Sequence, residues 1–277
     1  MSGHGEEQHM TDHEHPIWQT IAIDHQNVTV SRQGLTHYGL MAILESVPSL
    51  FTALPREVVA AAQTDGRTLF DRVDMAGNRT PAWDFLLQIV MTQSASMQFL
   101  HATGHLLRGH TFELFGHART MIENAGVAYL TRSMPALGEI YFDQQNTEEF
   151  ARQTSSGRIL PVNDPLTQHL NHAFKVASQI FHSNLVAVVG RTRFNLREED
   201  DRISYEHLIA FHDANPQDHS GFLRNAAWLI QITGQVLRLL GASFALPDCI
   251  WYRRLEQFEV QMDHAFQRIR PIIDPTP

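Results

Sequence analysis

Hydrophobic residues recur every three or four positions along most of this chain, which is the spacing of an amphipathic helix. The clearest stripe lies near the C-terminal end, where steps of 4, 3, 4, 4 and 3 separate Trp251, Leu255, Phe258, Met262, Phe266 and Ile269. We expect this stripe to pack into the core of its own chain rather than into the groove of a partner. The overall pattern predicts an all-α fold, a helical bundle-like domain of about eight to ten helices.

Prolines and glycines place the predicted helix ends. Pro48 is expected to stop a helix that begins near Ser31, and Pro55 to start the next. Pro81 opens a long helix through Leu100, and helical character continues from 104 to 132 with a break or bend near Gly104 and Gly109. The remaining helices are predicted at 135–142, 147–153, 164–190, 222–241 and 247–270, with a loop at 155–158.

Three stretches depart from the helical pattern. Residues 1–16 are rich in His and acidic residues and are expected to form a disordered tail, leaving 17–277 as a single helical domain. The partly alternating residues from 17 to 30 suggest a short extended segment. Residues 191–202 are predicted to be a charged connector, followed by a short helix to Phe211.

Composition narrows the class of protein. Of 277 residues, 43% are hydrophobic and 18% charged, as in globular rather than disordered or membrane-spanning chains. The formal net charge of −9 disfavours binding to duplex DNA. The long apolar stretch 226–246 is interrupted by Gln231, Gln235 and Arg238, which indicates a buried helix and no membrane partner. With a single cysteine, Cys249, and no signal-peptide pattern, we expect a cytoplasmic protein without an intramolecular disulfide.

Histidine is abundant, with 17 residues. Four of them, His4, His9, His13 and His15, lie beside carboxylates in the tail, where they could bind Ni²⁺, Cu²⁺ or Zn²⁺ weakly. Metal found with the full-length chain would therefore need to be separated from this incidental affinity.

A second group of histidines lies on a central helix. On a helical wheel, His110, Glu113 and His117 fall within about 60° of one another, so they could supply three ligands to a metal site with an open position. His101 and His105 share another face of the same stretch. The alternative, which we prefer, is a polar seam that is hydrogen-bonded to neighbouring helices. No cofactor is firmly implied, and a divalent metal ion is the one candidate.

Arg119 and Glu123 follow at i and i+4 within an otherwise apolar helix, a spacing at which the two side chains can meet. We interpret them as an at least partly buried structural pair, with a functional pair facing a cleft as the alternative.

The run HARTMIENAGVAYLTRSMP, about 30 residues with its flanks, resembles uncharacterised bacterial helical-bundle families related to HEPN domains. This resemblance implies a helical bundle that is often dimeric. Some HEPN proteins are metal-independent ribonucleases that use an Arg-x4–6-His motif. Arg202 and His207 match that spacing on the predicted short helix, so Arg202 would hold the phosphate and His207 would be the general acid/base. Arg32 and His37 match it too, but about 3.7 matches are expected by chance in a chain with this many Arg and His residues.

No dinucleotide-binding, P-loop or nucleophile-elbow motif is present in the sequence. The leading hypothesis is therefore a non-catalytic interaction or regulatory module that self-associates as a homodimer or binds an unidentified protein partner. One alternative is a HEPN-like ribonuclease of the toxin type, with RNA as its partner. The other is a metal-dependent enzyme built on His110, Glu113 and His117.

Overall fold

The computed structural model describes residues 16–64, 71–73, 79–143, 147–182, 192–199, 202–209, 219–245 and 249–274. Most of this part of the chain is helical, which confirms the predicted all-α class and the predicted number of helices. The helices are α1 (Pro16–His37), α2 (Leu40–Thr64), α3 (Trp83–Arg108), α4 (Thr111–Ser133), α5 (Ala136–Phe142), α6 (Thr147–Gln153), α7 (Ser156–Ile159), α8 (Gln168–His182), α9 (His219–Ser243) and α10 (Ile250–Ile273). Two antiparallel hairpins pair β1 (Asp71–Val73) with β2 (Arg79–Pro81) and β3 (Thr192–Glu199) with β4 (Arg202–Ile209).

The centre of the fold is a hairpin of the two long helices α3 and α4. On its other sides α4 packs against α8, α9 and the short helices α5 and α7, whereas α2 packs against α3, α9 and α10. One hydrophobic cluster joins these elements. Its largest fully buried side chains include Trp251, Phe51, Phe99, Met121 and Ile122.

The two C-terminal helices follow the predicted pattern closely. In α10, Trp251, Leu255, Phe258 and Ile269 are buried, and Met262 and Phe266 pack at the edge of the same core. The prediction that this stripe packs within its own chain is therefore confirmed. Helix α9 is likewise predominantly buried. Among the helices that the structure describes, none combines the length and apolarity needed to cross a membrane.

The extended segment predicted near residues 17–30 is wrong, because these residues belong to α1. The alternating apolar residues that suggested a strand do not line the core: Ile21, Ile23 and Val30 are exposed. The face that α1 buries instead carries Asn27, Ser31 and Leu35, which are spaced four residues apart. Two of these three residues are polar, so the helical period is hidden from a hydrophobicity pattern.

Helix α2 runs through both of its prolines, so the predicted stop at Pro48 and start at Pro55 are wrong. A proline inside a helix costs about 3 kcal/mol because a backbone donor is lost and its ring crowds the preceding turn. A continuous apolar stripe offsets this cost on both sides of the prolines. Its members Leu44, Val47, Phe51, Leu54 and Val58 are all buried. The first helix ends earlier than the predicted stop at Pro48. Gly39, with a left-handed φ of 77°, lies between the end of α1 and the start of α2.

The charged connector predicted at 191–202 and the short helix predicted after it are also wrong. Residues 192–199 and 202–209 form the β3–β4 hairpin, with pairing from Thr192↔Ile209 to Glu199↔Arg202. On both sides of its acidic centre the sequence RFNLREEDDRISYEHLI alternates polar and apolar residues, from Arg193 to Arg197 and from Arg202 to Glu206. Read with a period of two, this alternation is typical of a hairpin.

Candidate metal centre

The candidate site lies at the turn between α3 and α4, which is formed by a glycine in the left-handed conformation. Gly109 follows the last residue of α3 and has φ 81° and ψ 21°, a conformation that glycine adopts without steric cost. The backbone N–H of Gly109 donates to Leu106 O at 3.1 Å, and that of His110 donates to His105 O at 2.9 Å. These two bonds end α3 and direct the chain into α4 within two residues. His110 consequently lies at the turn rather than on a continuous helix.

Within the described residues, His105, His110 and Glu113 form a group that could hold a metal ion, and their ligand atoms all lie within 4.8 Å of one another. The Nδ1 atoms of His105 and His110 are 3.3 Å apart, so in the metal-free chain one ring donates a hydrogen bond to the other. Two nitrogen ligands at about 2.05 Å from a tetrahedral Zn²⁺ are separated by about 3.3 Å, so this pair already has the spacing of two zinc ligands. All three side chains are half-buried. Two histidines and one glutamate are a ligand set of catalytic zinc sites, which keep a fourth position open.

The structure thus brings together two of the three predicted ligands, His110 and Glu113, and adds His105 in place of His117. His117 lies beside this group, because its ring stacks on that of His105 with centroids 5.1 Å apart and an interplanar angle of 13°. On its other side it stacks on His101, also at 5.1 Å. The predicted ligand set omits His105 because the helical wheel places His105 on a different face from His110, although a break or bend is predicted near Gly109. Gly109, directly after a helical stretch that ends in arginine, was the signal for a complete reversal.

Beside their apolar contacts, α3 and α4 also form the polar seam predicted as the alternative. The ring nitrogen Nδ1 of His117 lies 2.7 Å from Gln98 Oε1, and Asn124 Nδ2 donates to Ser94 Oγ at 2.8 Å. The hydrogen bond to Gln98 places a proton on Nδ1 of His117. The seam and the metal-ligand group are therefore two parts of one polar contact, which begins at the turn and continues along the two helices.

Helix α1 covers the turn. Asp24 Oδ1 lies 3.2 Å from His110 Nε2, and Asp24 Oδ2 lies 3.9 Å from Arg108 Nε. Asn27, one turn further along α1, donates from Nδ2 to the carbonyl oxygen of Arg108 at 2.9 Å. Asp24 and Asn27 thus fasten α1 to the end of α3 and to a candidate metal ligand.

The environment keeps the central imidazoles neutral. Burial is the main cause that lowers the pKa of His105, with further contributions from His117 and His110, while Glu113 opposes the shift. Burial also lowers the pKa of His117, together with the neighbouring His101. Because the ordinary value is 6.5, both rings are predominantly uncharged at neutral pH. Neutral imidazole is the form that binds a metal ion.

The Arg119–Glu123 pair lies further along α4 and faces α8. The two side chains meet at 2.9 Å and are 25% and 32% exposed. The guanidinium carbon of Arg119 also lies 5.2 Å from the ring centre of Phe174 on α8. The contact of Arg119 with Phe174 joins α4 to α8, so we interpret the pair as structural.

Arg202 and His207 lie in β4, not on the helix that was predicted for them. Their strand partners are Glu199 and Phe194. Five residues of extended strand separate two Cα atoms by about 16 Å, compared with about 7.5 Å along a helix. The backbone therefore does not bring this pair together as an Arg-x4-His motif on a helix would.

No protein-family model matches the chain, and comparisons with characterised proteins and with solved structures find no significant match. The resemblance to HEPN-related bundles stays a prediction. The tail histidines His4, His9, His13 and His15 lie outside the described residues, so the tail metal site stays a prediction as well.

Proposed function

We propose that this all-helical chain is a metal-binding protein that holds one divalent transition-metal ion of the zinc class through His105, His110 and Glu113. The observation that carries the proposal is the 3.3 Å separation of the His105 and His110 Nδ1 atoms next to a carboxylate. Nitrogen and carboxylate ligands of this kind suit zinc and the neighbouring transition metals better than magnesium or calcium, which prefer all-oxygen sites.

The surroundings of the three ligands also support a metal site. Asp24 contacts Nε2 of His110, which leaves Nδ1 to face His105 and the metal position. A carboxylate on the outer nitrogen of a ligating histidine is the usual way to orient such a ring. A metal ion bound there would act as a Lewis acid toward a water molecule or substrate at its open position.

The test is a zinc titration of the full-length chain with the four tail histidines replaced by glutamine, which removes the competing sites of the tail. Competition with a chromophoric chelator measures the affinity and the stoichiometry. We expect one zinc ion per chain. His105→Gln, His110→Gln and Glu113→Gln should each weaken binding strongly, because a site with three protein ligands loses one of them.

His172→Gln is the matched control, because His172 is exposed on α8 and outside the ligand group. It should bind zinc as tightly as the parent. The proposal is wrong if the tail-substituted chain takes up no zinc. It is equally wrong if His110→Gln and His172→Gln have the same zinc affinity as the parent.

We propose self-association and an interaction or regulatory role on the sequence alone, and they are compatible with a metal site. Sedimentation of the full-length chain tests self-association, for which a monomer at micromolar concentration would be the contrary result. RNA cleavage that persists in EDTA would favour the ribonuclease alternative.

A further inference from the structure

Asp24 of α1 contacts the candidate ligand His110 and its neighbour Arg108. It is the acidic residue of α1 within the described range, and its two carboxylate oxygens reach both sides of the turn between α3 and α4. One oxygen contacts Nε2 of His110, and the other lies near the guanidinium of Arg108. Asp24 is therefore the link between α1 and the metal-ligand group.

Among the side chains that the structure describes in this part of α1, few large apolar ones are buried. Ile21 and Ile23, which precede Asp24 by three residues and by one residue, are 45% and 43% exposed. The buried residue nearest to Asp24 on the same helix is Asn27, which is 5% exposed and bonded to the Arg108 carbonyl oxygen. Among the side chains described from Ile21 to Val30, polar contacts to the turn therefore connect α1 to the rest of the fold more than burial of hydrophobic surface does.

We infer that Asp24 is a positioning residue for the metal site, and that docking of α1 and binding of the metal stabilise each other. This inference rests on the proposed metal-binding function. The Asp24 carboxylate, 3.2 Å from Nε2 of His110, favours the tautomer with its proton on Nε2, so Nδ1 of that ring carries the lone pair that binds the metal. A metal ion on Nδ1 makes Nε2–H more positive, which strengthens its attraction to the Asp24 carboxylate and holds α1 more firmly.

The size of the effect follows from the behaviour of outer carboxylates on metal-binding histidines. Their loss typically weakens metal affinity by about 10–100-fold. Coupling between two binding events is reciprocal, so saturating metal should shift the docking equilibrium of α1 by up to the same factor.

The experiment compares Asp24→Asn with Glu45→Gln, both in the full-length chain with the tail histidines replaced. Glu45 is the matched control because it also pairs with α1, through Arg32 at 3.8 Å, but on an exposed face between α1 and α2. Three quantities are measured: zinc affinity, the visible spectrum of bound Co²⁺, and hydrogen exchange of the α1 amides with and without zinc.

We expect Asp24→Asn to weaken zinc binding by about 10–100-fold and to change the Co²⁺ spectrum, because the His110 ring is no longer oriented. Glu45→Gln should do neither. In the parent, zinc should slow exchange in α1 around residues 21–31, and in Asp24→Asn this protection should be lost. A purely structural role for Asp24 would instead lower the metal-free stability and leave the Co²⁺ spectrum unchanged.

The possible failures can be told apart. If the parent binds no zinc, both the proposed function and the role inferred for Asp24 are wrong. If the parent binds zinc through His110 but Asp24→Asn binds it equally well, only the role of Asp24 is wrong. If zinc leaves exchange in α1 of the parent unchanged, the coupling between α1 and the site is wrong.

Discussion

Replacing Gly109 by alanine tests whether the turn between α3 and α4 is built on a left-handed residue. With φ 81° and ψ 21°, this position suits glycine and disfavours any residue with a Cβ atom. The substitution adds one methyl group and changes no charge. Its effect should therefore come from the backbone of the turn and from the two histidines that the turn brings together.

The expected loss of stability can be worked from the conformation. An L-residue in the left-handed helical region costs about 1–2 kcal/mol, and asparagine tolerates this region better than alanine does. Gly34, inside α1, is the matched control because a Cβ there would meet no atom within 4 Å. Glycine inside a helix is less favourable than alanine by about 0.5–1 kcal/mol, so Gly34→Ala should stabilise the chain. The two Gly→Ala variants should thus differ by about 1.5–3 kcal/mol.

Thermal unfolding in EDTA, followed by circular dichroism, measures this difference without a contribution from metal. One kcal/mol corresponds to about 2–4 °C in a chain of 150–250 residues, and to the lower end of that range here. From the highest melting temperature to the lowest, the expected order is Gly34→Ala, wild type, Gly109→Asn and Gly109→Ala. Zinc affinity, measured in parallel, should fall in Gly109→Ala if the strain is relieved by movement of His110 away from His105.

The reasoning is refuted if Gly109→Ala melts at or above the wild-type temperature. In that case the left-handed residue does not determine the turn, and a different account is needed for the proximity of His105 and His110.

Two further predictions concern stability. Gly138→Ala should destabilise the chain by about 3 kcal/mol or more in chemical denaturation, at the upper end of overpacking costs. A Cβ at this position would lie 2.2 Å from the carbonyl carbon of Trp83, so α5 could no longer rest on the start of α3; an unchanged denaturation midpoint would contradict that contact. The metal-free chain should also lose stability as the pH falls through the ordinary histidine value of 6.5, because the lowered pKa values of His105 and His117 let the unfolded state bind protons first. The stability that the two neutral rings contribute is fully present above 6.5, the ordinary histidine pKa. It is lost as the pH falls below 6.5 toward the lower pKa values of the folded state. Stability measured in EDTA should therefore depend less on pH when both rings are replaced by glutamine, and an identical dependence would contradict the prediction.

Helix periodicity was informative where the buried face is apolar. The stripe of α10 and the predominantly buried helix α9 could be predicted from the sequence, because burial of large side chains there requires a 3.6-residue period. The same reasoning failed for α1, where Asn27 and Ser31 occupy buried positions and Ile21 and Ile23 do not. The contacts that order this part of α1 are made to the α3–α4 turn, so no pattern within the segment itself reports them.

The candidate site could be predicted in part for a similar reason. His110 and Glu113 are three residues apart, so their proximity follows from local geometry. The proximity of His105 and His110 depends on the reversal at Gly109, and that of Asp24 depends on the docking of a helix more than 80 residues away in sequence. Neither can be derived from spacing along one helix.

The polar contacts between α3 and α4 have a consequence for alignment. The pairs Ser94–Asn124 and Gln98–His117 are satisfied only when the two helices have one relative position along their axes. Apolar faces can slide by a helical turn, about 5.4 Å, at modest cost, whereas such a slide would leave these amide and imidazole groups without partners. A slide of that size would also exceed the separation of the candidate ligands. The seam thus fixes the register of the two long helices, so that the ligands of the proposed metal ion meet at their common end.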